Sequence, residues 1–128
     1  MTDPVSEFKS TSGLQRILPA MGYAMAGLAA AWKHEHAFRQ ELVMVVIGTV
    51  IALFLPVSLF QKLFLISVLV FVLIVELFNS AIEAIVDRVS LERHPLSKNA
   101  KDMGSAAVML SIFLALACWS VVLINRFY

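Results

Sequence analysis

Three long apolar stretches, each bordered by charged residues, organise the chain. Residues 42–61 carry no formal charge over 20 positions, between Glu41 and Lys62. That length matches the roughly 20 apolar residues a helix needs to cross the hydrocarbon core. Pro56, near the far end, marks where this helix stops and a short turn begins, because proline lacks the amide donor a helix interior requires. Residues 63–86 form a run of 24 interrupted by Glu76 and Glu83, and residues 103–125 give 23 uncharged positions. None of the three alternates in polarity as a membrane strand would. The pattern predicts an all-α integral membrane protein with three transmembrane helices, at about 42–60, 63–86 and 103–125.

Ahead of the first span lies a different pattern. Leu14, Ile17, Leu18, Met21, Met25, Leu28 and Trp32 recur at helical spacing and stay within roughly 80° of arc. This predicts an amphipathic helix over about 12–34, capped by Ser10, Thr11 or Ser12 and lying on the cytoplasmic membrane surface with Trp32 at the boundary. Packing of the same helix on its own bundle is an equally open reading. Pro19 predicts a bend, since proline inside a helix removes a hydrogen bond. The opening residues, MTDPVSEFKSTSG, contain no apolar core, so no signal peptide is expected. With no repeat, linker or low-complexity tract, residues 1–128 read as a single membrane domain.

Composition sharpens the membrane reading. Hydrophobic residues make up 60% of the chain and charged residues 15%. So small a soluble fold buries too little of its surface to hide that excess. The net charge of +1 provides no basic field for nucleic acid, so no nucleic-acid partner is expected. The single cysteine, Cys118, excludes an intrachain disulfide and a cysteine-based zinc site. Eight of the ten Lys and Arg residues fall before the first span or between the second and third. By the positive-inside rule, the N-terminus and the second loop are cytoplasmic and the C-terminus lies outside, in a multi-pass membrane protein.

The most informative segment is VELFNSAIEAIVDR, residues 75–88. Glu76, Asn79, Glu83 and Asp87 fall at about 0°, −60°, −20° and +20° on a helix, with Ser80 beside them at about +40°. A carboxylate on a membrane helix costs about 2.5–3.5 kcal/mol at mid-span, and aligned carboxylates repel one another. Such a face makes sense against a cation, a proton or basic partners. The plainer reading, that Glu83 and Asp87 merely emerge into the cytoplasm, stays open for those two. It is weaker for Glu76, because ten of the eleven residues over 65–75 are apolar. Glu35, Lys101, Asp102 and Arg16 lie near the same membrane end. Carboxylates for a hard divalent cation, with Lys and Arg for phosphate oxygens, make Mg-nucleotide chemistry a candidate. Ordinary positive-inside charge is the competing reading of Lys101 and Arg16.

Other chemistries find no support. The chain has no GxxxxGK[ST], HRD or GxGxxG motif. His34 and His36 lie about 200° apart on a helix and make poor co-ligands, so they read as surface histidines. Ser67, Ser105 and Ser111 lack an elbow motif, and Cys118 has no activating base nearby. Ala107, Ser111 and Ala115 form a small-residue row that permits close helix packing.

The strings AAWKHEHAFRQE (residues 30–41), VELFNSAIEAIVDR and AKDMGSAAV (residues 100–108) resemble the prokaryotic integral-membrane diacylglycerol kinases. The likeness spans residues 14–127 and implies a homotrimer in the bacterial inner membrane with active sites shared between subunits. It implies transfer of the ATP γ-phosphoryl group to the primary hydroxyl of diacylglycerol, giving phosphatidate for phospholipid metabolism. By the same resemblance Glu76 is the catalytic base, and Glu35 and Glu83 hold Mg²⁺ and with it the nucleotide. Arg16, Tyr23, Glu92, Arg93, His94, Lys101 and Asp102 match ATP-binding positions. Arg16, Glu76 and Ser105 match lipid-substrate positions, with Asn79 and Asp87 in support. Pro19, Met25, Ala26 and Ala29 depart from the more basic and aromatic surface helix usual in the family. A polyprenol kinase of the same fold would share these catalytic strings. A small proton-coupled transporter using Glu76 is a reading from another class, opposed by the charged cluster of Glu83, Asp87, Lys101 and Asp102.

Overall fold

The computed structural model describes residues 13–128, so the expected caps Ser10, Thr11 and Ser12 lie outside the described residues. The chain divides into two compact units, the first ending at His34 and the second running from Glu35 to Tyr128. In the first, a 3-10 turn (Gly13–Arg16) leads into α1 (Ile17–His34). Gly13 opens the turn at φ 71°, a left-handed backbone that glycine enters without steric cost. The helical run changes from 3-10 to α at Ile17, two residues before Pro19. Because α1 begins at Ile17, Pro19 falls in its first turn, where an amide has no intrahelical acceptor and the missing N–H costs little. The stripe from Leu14 through Trp32 is exposed along its length.

The second unit contains α2 (His36–Phe54), α3 (Leu59–Val89) and α4 (Pro95–Phe127). All three are long and apolar enough to cross a membrane. The first stops at Phe54, and Leu55, directly before Pro56, is extended at φ −67° and ψ 142°. The proline ring disfavours the α conformation in the residue preceding it, so the expected stop falls where that clash puts it. Both α3 and α4 outrun their apolar stretches. Their 31 and 33 residues reach about 46 and 50 Å, against about 30 Å of hydrocarbon. The excess lies largely in residues 83–89 and 95–102, where the charges are.

Packing centres on α3, which contacts both α2 and α4. Its buried face reads Leu65, Val68, Val72, Glu76, Asn79 and Ser80, at spacings of three and four that keep one helical stripe inward. Ala52 and Val122 close on Leu65, and Ala115 packs on Val68 and Val72, with the Trp119 ring alongside both groups. On α4 the buried positions are Gly104, Ser111, Ala115 and Val122. The small-residue row is therefore partly used inside the protomer, with Ser111 and Ala115 buried and Ala107 exposed.

The end away from the charges is tied by polar bonds. Ser58 Oγ accepts from the Gln61 amide at 3.1 Å, while Gln61 Oε1 accepts from the Ser58 amide at 3.0 Å. This reciprocal cap starts α3 immediately after the turn. Lys62 Nζ donates to the Leu53 carbonyl at 2.7 Å, supplying a partner to one of the last carbonyls of α2. Arg126 Nε donates to the Pro56 carbonyl at 2.6 Å, and Trp119 Nε1 to the Leu65 carbonyl at 3.2 Å. These two bonds bring the C-terminal end of α4 to the α2–α3 turn, so α3 runs antiparallel to α4. Ser58→Ala should lower stability by about 1 kcal/mol through loss of the cap, measurable as an earlier thermal or denaturant transition in detergent micelles.

Candidate functional site

Halfway along α3 the buried face turns from apolar to polar. Glu76 is 4% exposed, and Asn79 and Ser80 are each 9% exposed. Glu83, two turns beyond Glu76, is half-buried, and Asp87 is exposed. The stripe inferred from spacing is one face graded from interior to surface. Emergence into water accounts for Asp87 but not for Glu76 or Asn79.

Asn79 sits between two carboxylates. Its Nδ2 approaches Glu83 Oε1 at 3.5 Å, and its amide also interacts with the Glu76 carboxylate. Asn79 Oδ1 and Ser80 Oγ are buried without a hydrogen-bond partner. Glu35, the extended residue preceding α2 (φ −115°, ψ 108°), lies within electrostatic reach of Glu76. So does Glu41, whose Oε2 is likewise buried and unpartnered. Glu41 is the residue that sequence reasoning missed, having taken it only as the edge of an apolar run. Phe38, Val45 and Ala52 are buried on α2, and Glu41 falls on that same stripe, three residues after Phe38 and four before Val45. The period of the stripe was the available signal.

Next to the carboxylates, the turn joining α3 to α4 frames an open cleft of about 720 Å³. Asp87, Glu92, Arg93, His94, Lys101 and Asp102 line it, so the sequence-predicted residues of this loop and the start of α4 share one cavity. The loop is built locally. Ser90 Oγ accepts from the Glu92 amide at 3.0 Å, and His94 Nδ1 caps α4 by accepting from the Leu96 amide at 3.1 Å. Pro95 fits the first turn of α4, where no amide donor is needed. Lys101 Nζ pairs with Asp87 Oδ1 at 2.6 Å across the two helices, and Lys98 Nζ with Asp102 Oδ2 at 2.5 Å. Both pairs are open to solvent, and exposed pairs contribute little stability, so either cation can turn to a more highly charged anion at small cost.

Ser105 is exposed on α4, and Arg16 and Tyr23 belong to the first unit, at the end of the 3-10 turn and on α1. His34 and His36 are exposed, with His36 Nδ1 2.9 Å from Arg39 Nη2. Among the described residues, no three His, Cys, Asp or Glu side chains converge to hold a metal ion by themselves. What the second unit offers is a buried carboxylate on a membrane-length helix, adjoining a cleft lined by solvent-exposed cations.

A model of the family "Prokaryotic diacylglycerol kinase" matches residues 22–123. The chain is 52% identical over 120 residues to a diacylglycerol kinase of Pseudomonas aeruginosa, covering 94% of this chain and 98% of that one. Against a diacylglycerol kinase of Escherichia coli it is 50% identical over 118 residues, covering 92% and 97%. A diacylglycerol kinase of Helicobacter pylori is similar at 33% identity over 127 residues, with 97% and 99% covered.

The crowding of carboxylates has a consequence for stability. Glu76→Gln keeps the side-chain volume and removes repulsion from Glu35, Glu41 and Glu83. The variant should be as stable as the parent or more stable, by roughly 0–2 kcal/mol, in a thermal melt in micelles. A clear loss of stability would instead assign Glu76 a structural role.

Proposed function

This chain belongs to the prokaryotic diacylglycerol kinase family, and we propose that it works with the α3 carboxylate face as its proton-accepting centre and the α3–α4 cleft as its phosphate site. The reaction is ATP-dependent: the primary hydroxyl of diacylglycerol attacks the γ-phosphorus, the bond to the β-phosphate oxygen breaks, and phosphatidate and ADP result. The observation that carries the residue assignment is Glu76, a carboxylate buried on a membrane helix among other carboxylates. Glu76 accepts the proton leaving the lipid hydroxyl.

Phosphoryl transfer depends on positioning and charge neutralisation more than on covalent chemistry. Lys101, Arg93 and His94, all lining the cleft, are suited to meet triphosphate oxygens. Glu92 and Asp102 line it too, and Asp87 holds Lys101 until the nucleotide competes for it. Arg16 and Tyr23 as nucleotide contacts, and Arg16 and Ser105 as lipid contacts, are supported by family membership.

The donor chemistry near Glu76 suits a hard cation: carboxylate oxygens from Glu35 and Glu83. Mg²⁺ commonly takes one or two protein carboxylates and completes its shell from substrate phosphates and water, which fits a site without three converging ligands. When bound, Mg²⁺ supplies neutralisation of the phosphate charge. Glu35 and Glu83 are its proposed protein ligands. The distribution of basic residues supports an N-terminus and α3–α4 turn in the cytoplasm and a C-terminus outside. The open cleft and family membership support a homotrimer in which neighbouring subunits complete each site, and the exposed stripe of α1 supports a helix lying on the inner leaflet.

Purified protein in mixed micelles should transfer label from γ-labelled ATP to diacylglycerol only when Mg²⁺ is present. Glu76→Gln should lower kcat by about 10²–10⁴ while the fold persists, as expected for a general base. Lys101→Met should chiefly raise KM for ATP. Normal turnover by Glu76→Gln would overturn its role, and transfer to a polyprenol but not to diacylglycerol would change the acceptor.

A further inference from the structure

We propose that Gly104 is a positioning residue: by admitting the carbonyl end of Asn79 against the α4 backbone, it keeps the donor end of that side chain between Glu76 and Glu83. Gly104 is buried on the face of α4 that meets α3. A Cβ at this position would overlap Asn79 Oδ1, and it would come within 3.3 Å of Asn79 Cγ and 3.8 Å of Asn79 Cα. The overlap falls on the side-chain oxygen and Cγ, while the backbone Cα stays at ordinary contact distance, so a Cβ is accommodated by rotating the short Asn79 side chain away. Gly48 provides the contrast, because a Cβ there would meet Leu69 Cδ1, the free end of a flexible chain.

Rotation of Asn79 carries a chemical cost. The amide has one donor end and one acceptor end. In the structure the donor end faces Glu76 and Glu83, and the acceptor Oδ1 lies against Gly104 without a conventional hydrogen bond. The glycine hydrogen standing where a Cβ would be points at Oδ1, the arrangement of a weak Cα–H···O contact. Turning the amide over would aim an oxygen at two carboxylates, and swinging it away would leave their mutual repulsion unrelieved. Only a residue without a Cβ at 104 allows the donor end to stay where it is. Gly104 therefore acts on the site through Asn79, without touching substrate.

The catalytic consequence rests on the kinase reading, in which Glu76 is the base and Glu83 serves the metal–nucleotide. The test is a double-mutant cycle of Gly104→Ala and Asn79→Ala, with Gly48→Ala as a packing control. Steady-state kinetics with diacylglycerol and MgATP give kcat and the KM for MgATP, and melting in micelles and oligomer size report the fold. Gly104→Ala should lower kcat/KM for MgATP by roughly tenfold or more, with KM raised and oligomer size unchanged. In the Asn79→Ala background the same change should cost less than about twofold, because the methyl then has space. Gly48→Ala should move the melting temperature and leave the KM for MgATP unchanged. Near-parental kinetics for Gly104→Ala, or single-variant losses that multiply in the double variant, would overturn the proposal. A parent protein inert toward diacylglycerol would sink the kinase reading instead. The melting temperatures of the same four proteins would then judge the Gly104–Asn79 contact, which predicts that Gly104→Ala destabilises only when Asn79 is present.

Discussion

The structure turns on the burial of carboxylates along one face of α3. Leu65, Val68 and Val72 pack as an apolar stripe, and the next positions of that stripe are Glu76, Asn79 and Ser80. A protein interior tolerates polar groups only when each finds a partner. Here Glu41 Oε2, Asn79 Oδ1 and Ser80 Oγ have none. Natural proteins retain such a concentration of unsatisfied groups at places where a ligand completes the set. The polar bonds that fasten the helices to one another are found away from this face. The Trp119–Leu65 bond, the Arg126 and Lys62 bonds to carbonyls and the Ser58–Gln61 cap all lie at the opposite end.

That division explains why helix length matters. The apolar parts of α3 and α4 suffice to cross the hydrocarbon, yet both helices continue past it. Continuity of α3 carries Glu76, Asn79, Glu83 and Asp87 on one rigid rod, so their spacing is set by the helical repeat rather than by a loop. The cleft residues come from the turn and from the first turns of α4, fixed by the His94 cap and Pro95. Rigid carboxylates and loop-borne cations suit the two tasks assigned to them. A base must be held to a fraction of an ångström, whereas cations meeting a polyphosphate act over a longer range.

Much of this was legible in the order of the residues, and the reasons differ from place to place. The three spans and the α3 stripe follow from local periodicity, which survives in any tertiary setting. Pro56 stopped α2 as backbone sterics demand. Ser58 and Gln61 carry the spacing of a capping box, a local signal that went unused. Pro19 falls in the first turn of α1, where proline is well tolerated. Glu41 required knowing which side of α2 faces inward, and the period of Phe38, Val45 and Ala52 carries that only once burial is known. The Gly104–Asn79 contact joins residues on two helices, and no local pattern encodes it. Arg16, Tyr23 and Ser105 were named through family likeness, and nothing in the packing of the second unit substitutes for that likeness.

The position of the site along α3 follows from the partition of its two substrates. On the kinase reading one reactant is soluble in lipid and the other in water, and neither can travel far into the other's solvent. The γ-phosphate and the lipid hydroxyl can meet only where the hydrocarbon ends. A base placed deeper would reach acyl chains rather than the alcohol, and one placed further out would sit in water, away from the lipid hydroxyl. Residues 63–75 rise about 20 Å before Glu76 is reached, which sets Glu76 short of the far boundary of a 30 Å slab, and the Asp87–Lys101 pair follows about 16 Å further on. On the proposed assignment, the order of side chains along one helix would be the order of the reactants across the interface: acyl chain beside the apolar stripe, hydroxyl at Glu76, and the nucleotide phosphates toward Glu83 and the cleft.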